Sequence, residues 1–264
     1  MFTISASKLR SYISCPKKYD FVYNEEIEPI EKAEALEMGG SYHEKIANFI
    51  KTQTLEEGYT KTDVMAKVFA EMIYPELLKE YGGIEDVEVY KEMQLTDDIK
   101  MIGYLDGITK TSKTPVEHKT TSRSVDEFYM NRLNWDNQVA MYMILTGRTK
   151  CIYTVIQKPT IRQKQNETEE EYLQRCYEWY KTDTEKKIGW FEVIRTPGEL
   201  EAKKQEIIEI VKDIQNKKVF YRNPYDCSIM GCPYSSICLD YDKNVMPIGF
   251  KKKENDRKVG NQDD

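Results

Sequence analysis

The chain lacks any apolar run long enough to cross a bilayer, which takes roughly 20 residues for a helix. Its first residues, Met1-Phe2-Thr3-Ile4-Ser5-Ala6-Ser7-Lys8, carry neither the charged lead nor the apolar core of a secretory signal. A cytoplasmic protein with no membrane segment is therefore expected. Positive charge is not in excess: 39 Lys+Arg against 45 Asp+Glu leave a net charge of −6. That argues against passive coating of nucleic acid, yet it leaves room for an enzyme with a local basic groove. Histidine is scarce, with two in 264 residues. The six cysteines do not suit a disulfide framework in a cytosolic chain of this size. No internal repeat is visible. The 40% hydrophobic content nevertheless allows a buried core and one or two domains.

Periodicity and punctuation predict an alternation of elements. Helices are expected over Ser5 to Phe21 (broken at Pro16), Ala33 to Lys51 and Thr62 to Tyr81, the last stopped by Gly82-Gly83. Extended segments follow over Val87 to Leu95 and Ile99 to Ile108, joined by an Asp97-Asp98 turn, and then over Pro115 to Lys119. A single helix is expected from Ser124 to Leu145, a buried strand over Cys151 to Ile156, and a charged helix over Thr168 to Lys187 with capping-box spacing. A short strand over Trp190 to Ile194 and a helix from Thr196 to Lys217 complete the series. Phe220 to Cys238 reads as loop-rich, and the end of the chain as a flexible tail. This order predicts an α/β fold with a mixed sheet.

Candidate chemistry concentrates at Asp106 and at Glu117-His118-Lys119. Two strands joined by the turn-like Lys110 to Pro115 can bring both carboxylates and the ammonium to one point. Carboxylate oxygens suit a hard cation such as Mg²⁺, and a neighbouring lysine can orient an activated water or steady charge developing on a phosphate. Asp/Glu-x-Lys triplets are cheap in a chain that is 32% charged: Asp98-Ile99-Lys100, Glu185-Lys186-Lys187 and Glu201-Ala202-Lys203 also fit, and surface ion pairing accounts for them. The 117–119 triplet differs in starting an apolar-led strand ahead of a long helix. In that strand the ring of His118 should point away from Glu117 and Lys119, leaving its carbonyl toward a metal. Gln138 and Tyr142, four apart on the following helix, share a face. They can reach a bound phosphate, or they are an ordinary core amide and phenol. His43, one turn after Gly39-Gly40, is a second site candidate with an equally plain structural alternative. Cys227-x4-Cys232-x5-Cys238 reads as metal ligation more readily than as packing. Cys151 and Cys176 read as packing residues.

The ordered set Gly39-x3-His43, Gly103-x2-Asp106, Glu117-x-Lys119 and Gln138-x3-Tyr142 resembles the PD-(D/E)xK nucleases of the RecB group. The opening Ser5-Ala6-Ser7-Lys8-Leu9, with Cys15-Pro16, Tyr19 and Phe21, is similar to the start of that group's CRISPR-associated and AddB-like members. Lys158-Pro159-x-Ile161-Arg162 and the acidic helix after it resemble stand-alone bacteriophage relatives. The resemblance spans Ser5 to Cys238. It implies a restriction-endonuclease-like mixed sheet flanked by helices, in one nuclease domain over residues 1–244, with 245–264 as the flexible tail. It also implies a DNA exonuclease acting on single-stranded or duplex ends in recombination, in a host cytoplasm if phage-encoded, leaving a 5′-phosphate and a 3′-hydroxyl. Spacer trimming in CRISPR adaptation, and a non-catalytic DNA-binding subunit, are the alternatives. A recombination protein partner is possible under the first. His43, Asp106, Glu117 and the His118 carbonyl would hold Mg²⁺ or Mn²⁺, Lys119 would position water, and Gln138 and Tyr142 would orient the strand. Tyr129, Trp135 and Tyr142 are aromatic residues suited to stacking on unpaired bases, although core packing serves Trp135 equally well. Finally, the resemblance implies that Cys15 joins Cys227, Cys232 and Cys238 around an iron–sulfur cluster that ties the 1–32 and 220–240 segments together. The family's late cysteines usually read C-x2-C-x5-C, and the wider first gap here leaves [4Fe–4S] and Zn²⁺ both open.

Overall fold

The computed structural model describes residues 1–31, 34–56, 58–229 and 231–253. In chain order the elements are β1 (Phe2–Ile4), α1 (Ala6–Ser14), α2 (Pro16–Tyr19), β2 (Ile27–Pro29), α3 (Glu34–Thr52), α4 (Lys61–Val68), α5 (Tyr74–Tyr81), β3 (Ile84–Thr96), β4 (Ile99–Thr109), β5 (Pro115–Thr121), α6 (Glu127–Leu133), α7 (Asn137–Thr146), β6 (Lys150–Gln157), α8 (Glu169–Tyr180), β7 (Ile188–Ile194), α9 (Pro197–Asn216), α10 (Pro224–Ile229) and β8 (Phe250–Lys252). The expected mixed α/β architecture is present. The chain forms two compact units, one of residues 1–6 and 34–211, the other of residues 7–33 and 212–264. No described helix is long and apolar enough to cross a membrane.

The first unit is built on a six-stranded sheet ordered β1-β4-β5-β6-β7, with β3 also paired to β4. β3 runs antiparallel along the whole of β4, so β1 and β5 must share the opposite edge of that strand. β1 takes Ile99 to Met101, and β5 takes only Gly107 and Ile108. Between them β4 leaves its β5 neighbour, and β5 turns to pair in parallel with β6 from Val116 onward. A strand alternates its faces. Val116, Ile152 and Ile156 therefore face a core with Tyr42 and Ile46 of α3, Met65 of α4 and Tyr180 of α8. Cys151, Tyr153 and Val155 face a second core with Leu133 of α6 and Val139 and Met143 of α7.

Several expectations are corrected. The helix expected over Ser124 to Leu145 is two helices. Asp136 caps α7, its carboxylate accepting the Gln138 and Val139 N–H groups at 2.8 and 3.3 Å, and this N-cap starts a new helix after α6 has ended. The Thr62 to Tyr81 helix passes through a wider π-type turn at Phe69–Ile73 before Pro75, whose missing N–H breaks the regular ladder. The Thr168 capping box forms as expected with Glu171, but α8 stops at Tyr180. Neither β1 nor β2 was expected. Part of the presumed tail is ordered as β8, pairing antiparallel with β2 from Ile27↔Lys252 to Pro29↔Phe250, while residues 254–264 lie outside the described residues. In the second unit this pair sits on a small core of Phe21, Ile27, Tyr234, Ile237 and Phe250.

Candidate active site

Where β4 and β5 part, Asp106 fills the space that a regular ladder would occupy. Its Oδ2 accepts the His118 backbone N–H at 2.7 Å, and its Oδ1 lies 3.2 Å from His43 Nδ1 on α3. A carboxylate thus replaces a strand partner, satisfying the backbone donor that divergence would otherwise orphan. Gly103, three residues earlier in β4, lets α7 approach: a Cβ there would lie 2.7 Å from Leu145 and 3.3 Å from Tyr142.

On the α7 face of β5, Glu117 is fully buried and Lys119 is paired with it. Gln138 spans the two, its Oε1 accepting from Lys119 Nζ at 3.0 Å and its Nε2 donating to Glu117 Oε2 at 3.0 Å. The same amide nitrogen is 2.8 Å from Tyr142 Oη, whose hydroxyl donates to the Tyr104 carbonyl of β4. Tyr142 is buried, so it positions Gln138 and β4 rather than presenting itself to solvent. The ring of His118 lies on the opposite face, its Nδ1 2.6 Å from Thr154 Oγ1 and its edge against Phe69.

The electrostatics follow from burial. Burial pushes the Glu117 carboxyl well above the usual glutamate value, and the Asp106 charge pushes the same way, with Lys119 opposing both. Burial also acts upward on Asp106, but the His43 hydrogen bond, His43 and the His118 backbone N–H outweigh it and hold this carboxyl below its usual range. Burial pulls His118 down to about 4, so its imidazole is neutral near pH 7. For Lys119, burial acts downward and the Glu117 carboxylate overrides it, keeping the ammonium charged. A buried and a half-buried carboxylate that repel each other are a donor set that a hard divalent cation fits, because the cation replaces repulsion with attraction to both. Among the described residues, no three His, Cys, Asp or Glu side chains converge as a ready ligand set. A set here would rest on the two carboxylates supplemented by main-chain oxygen or His43.

His43, Asp106, His118, Glu117, Lys119, Gln138 and Tyr142 are thus linked through β4, β5, α3 and α7. Sequence reasoning missed two contributors. Asp136 anchors the α7 N-terminus and its charge is felt at both Glu117 and Lys119; Asp136-x-Gln138 ahead of an apolar run is a recognisable N-cap signal. Thr154, the partner of His118, carries no signal beyond its place in a strand. Of the aromatic candidates, Tyr129 bonds to Tyr153 Oη at 3.1 Å, whereas Trp135 stands 86% exposed.

The cysteines fall where packing or pairing places them. Cys151 and Cys176 are fully buried, as expected for packing residues. Cys15, Cys227, Cys232 and Cys238 all belong to the second unit. Cys15 Sγ accepts the Asn223 N–H at 3.4 Å and Cys227 Sγ lies 3.3 Å from the Asn223 carbonyl. The neighbouring Arg222 donates twice to the Cys238 carbonyl, at 2.9 and 2.8 Å. Cys232 and Cys238 pack against the Phe21 core.

A family model described as the PD-(D/E)XK nuclease superfamily matches residues 3–83 and 62–239. No curated protein matches the sequence. Among solved structures, SSO0001 aligns at 17% identity over 90% of this chain and 86% of that chain, with a TM-score of 0.47. A phage related exonuclease from Haemophilus somnus 129PT aligns at 14% identity over 81% and 93%, TM-score 0.41. The alkaline exonuclease LHK-Exo from Laribacter hongkongensis aligns at 12% over 81% and 90%, TM-score 0.33. Likeness at this level carries no conclusion about what this chain does.

Proposed function

The chain belongs to the PD-(D/E)XK nuclease superfamily, and from that premise we propose that it is a divalent-metal-dependent deoxyribonuclease, an exonuclease that processes DNA ends in phage or bacterial recombination. The observation that carries this reading is the carboxylate pair, buried Glu117 and half-buried Asp106, held at a strand divergence with Lys119 and Gln138 beside them. A structural ion pair has no use for the second carboxylate, whose burial next to Asp106 is unfavourable without a cation.

Asp106, Glu117, the His118 carbonyl and His43 would hold Mg²⁺ or Mn²⁺. Bound there, the cation supplies a Lewis acid that makes water nucleophilic near neutral pH and offsets charge on the scissile phosphate. Lys119, kept charged by Glu117, orients the attacking water and stabilises charge on the phosphate oxygens. Gln138 fixes the Lys119 and Glu117 head groups relative to each other, and Tyr142 fixes Gln138. Each of these groups is in place before substrate arrives, which is where electrostatic catalysis gains most.

For the second unit, Cys15, Cys227, Cys232 and Cys238 are proposed as thiolate ligands of a [4Fe–4S] cluster or Zn²⁺. The support is that all four lie in one compact unit and that Cys15 and Cys227 flank the same Asn223 backbone.

The function is tested with linear DNA labelled at the 5′ or 3′ end, single-stranded and duplex, alongside a covalently closed circle, with Mg²⁺ or Mn²⁺ and with EDTA. Metal-dependent release of label from linear DNA, with the circle spared, is the expected result. Cutting of the circle would replace the exonuclease reading with an endonuclease, and no cleavage of any DNA would remove the activity.

A further inference from the structure

Helix α6 buries one face and exposes another that carries two aromatic rings. Val125, Leu133, Tyr129 and Met130 pack into the core beneath it. Phe128, Asn131, Arg132 and Trp135, spaced i, i+3, i+4 and i+7, share the other face and all are exposed, Phe128 by 68% and Trp135 by 86%. The helical path reaches Trp135, whose N–H donates to the Arg132 carbonyl at 3.0 Å. The acids that bracket this segment are both engaged: the Asp126 carboxylate accepts the Tyr129 N–H as the N-cap, and the Asp136 carboxylate accepts the Gln138 and Val139 N–H groups. A second guanidinium, that of Arg195, docks on the Leu133 and Asn134 carbonyls at 3.1 and 2.7 Å. Two exposed rings with polar groups between them on one face form a candidate contact surface.

We propose that this face is a stacking surface for unpaired DNA bases, which feeds a single strand to the carboxylate centre. The proposal rests on the nuclease reading. Two aromatic rings two helical turns, roughly 10 Å, apart with an arginine between them match the chemistry of single-strand binding, in which bases stack on rings and cations follow the phosphates. The surface also lies close to the centre along the chain. Trp135 precedes Asp136, the cap of α7, and Gln138 two residues on bonds both Lys119 and Glu117. A duplex end keeps its bases stacked on each other, so the surface favours single-stranded ends.

The test uses the full chain in EDTA, with oligo(dT) as probe and tryptophan emission as readout. Trp179 and Trp190 are packed against the first core, so the most exposed emitter is Trp135. Saturable quenching is expected in wild type. Trp135→Ala should abolish the quenching and weaken binding, followed by anisotropy of a labelled oligo(dT), roughly tenfold, with Phe128→Ala weakening it several-fold and Trp135→Phe restoring most of it. With Mn²⁺ present, Trp135→Ala should raise KM on single strands with kcat nearly unchanged, and should alter duplex cleavage little. Unchanged oligo(dT) affinity in folded Trp135→Ala overturns the proposal. So does sedimentation showing a wild-type dimer that this variant converts to monomer, since the face would then be a protein interface. Quenching without any cleavage removes the nuclease reading and leaves the surface standing. Cleavage with an unaffected Trp135→Ala does the reverse.

Discussion

Around the middle of β5 the side chains hold one another: Glu117 with Lys119, both with Gln138, Gln138 with Tyr142, and Asp106 with His43 and the His118 N–H. In the second unit the Cys15 and Cys227 thiols meet the Asn223 main chain, and the Arg222 guanidinium donates to the Cys238 carbonyl. The first region is preorganised by its own polar network, which a sheet and two helices can fix in advance. The second has only a small core, and the proposed thiolate-bound metal would supply much of its order. Removing a metal should therefore silence the first region and unfold the second.

The largest expected effect breaks the first region alone. Lys119→Ala should lower metal-dependent cleavage of end-labelled DNA by about 10²–10³-fold; a folded variant with wild-type rates would show that the ammonium has no part in the chemistry. Next in size is the second region. Cys15→Ser should lose bound iron or zinc and about 3 kcal/mol or more of stability together, as followed by elemental analysis and chemical denaturation. A stable, metal-replete Cys15→Ser would take Cys15 out of the ligand set.

A smaller effect separates charge from packing at the centre. Burial, reinforced by Asp106, raises the Glu117 pKa from 4.5 to about 8 against the pull of Lys119. A carboxyl whose folded pKa is raised contributes stability that is fully present below its unfolded value and is lost as pH rises through the folded one. Metal-free wild type should thus lose on the order of 1 kcal/mol or more between those two pH values, and Glu117→Gln should not. Equal pH slopes in the two proteins would mean that Glu117 ionises freely. The smallest effect is at the cap: Asp136→Ala should cost about 1 kcal/mol through the exposed α7 N–H groups and slow cleavage only several-fold by loosening Gln138. A change in metal content of the second unit in this variant would contradict the separation of the two regions.

The difference also explains what the sequence could disclose. Asp106 and Glu117-x-Lys119 are legible because strand periodicity puts Glu117 and Lys119 on one face and His118 on the other, and Gln138 and Tyr142 because helical spacing does the same. The strand divergence that lets Asp106 meet the His118 N–H is a tertiary event with no local signature, so the carboxylate's role as a stand-in strand partner was invisible. The break between α6 and α7 was legible at Asp136, but the strongly apolar Val139 to Leu145 pattern masked it. β1, β2 and β8 are three residues each, too short for any period to register, and exist only through their partners. Trp135 could not be assigned from sequence because an aromatic at a helix junction suits a core or a surface equally; only its exposure distinguishes them.

The central claim is that the Asp106–Glu117 carboxylate pair is a cation site. Titration calorimetry of Mn²⁺ into wild type and Asp106→Asn tests it most directly. The expected result is saturable binding to wild type that is lost or greatly weakened in the folded variant. Equal Mn²⁺ binding by both proteins would contradict it.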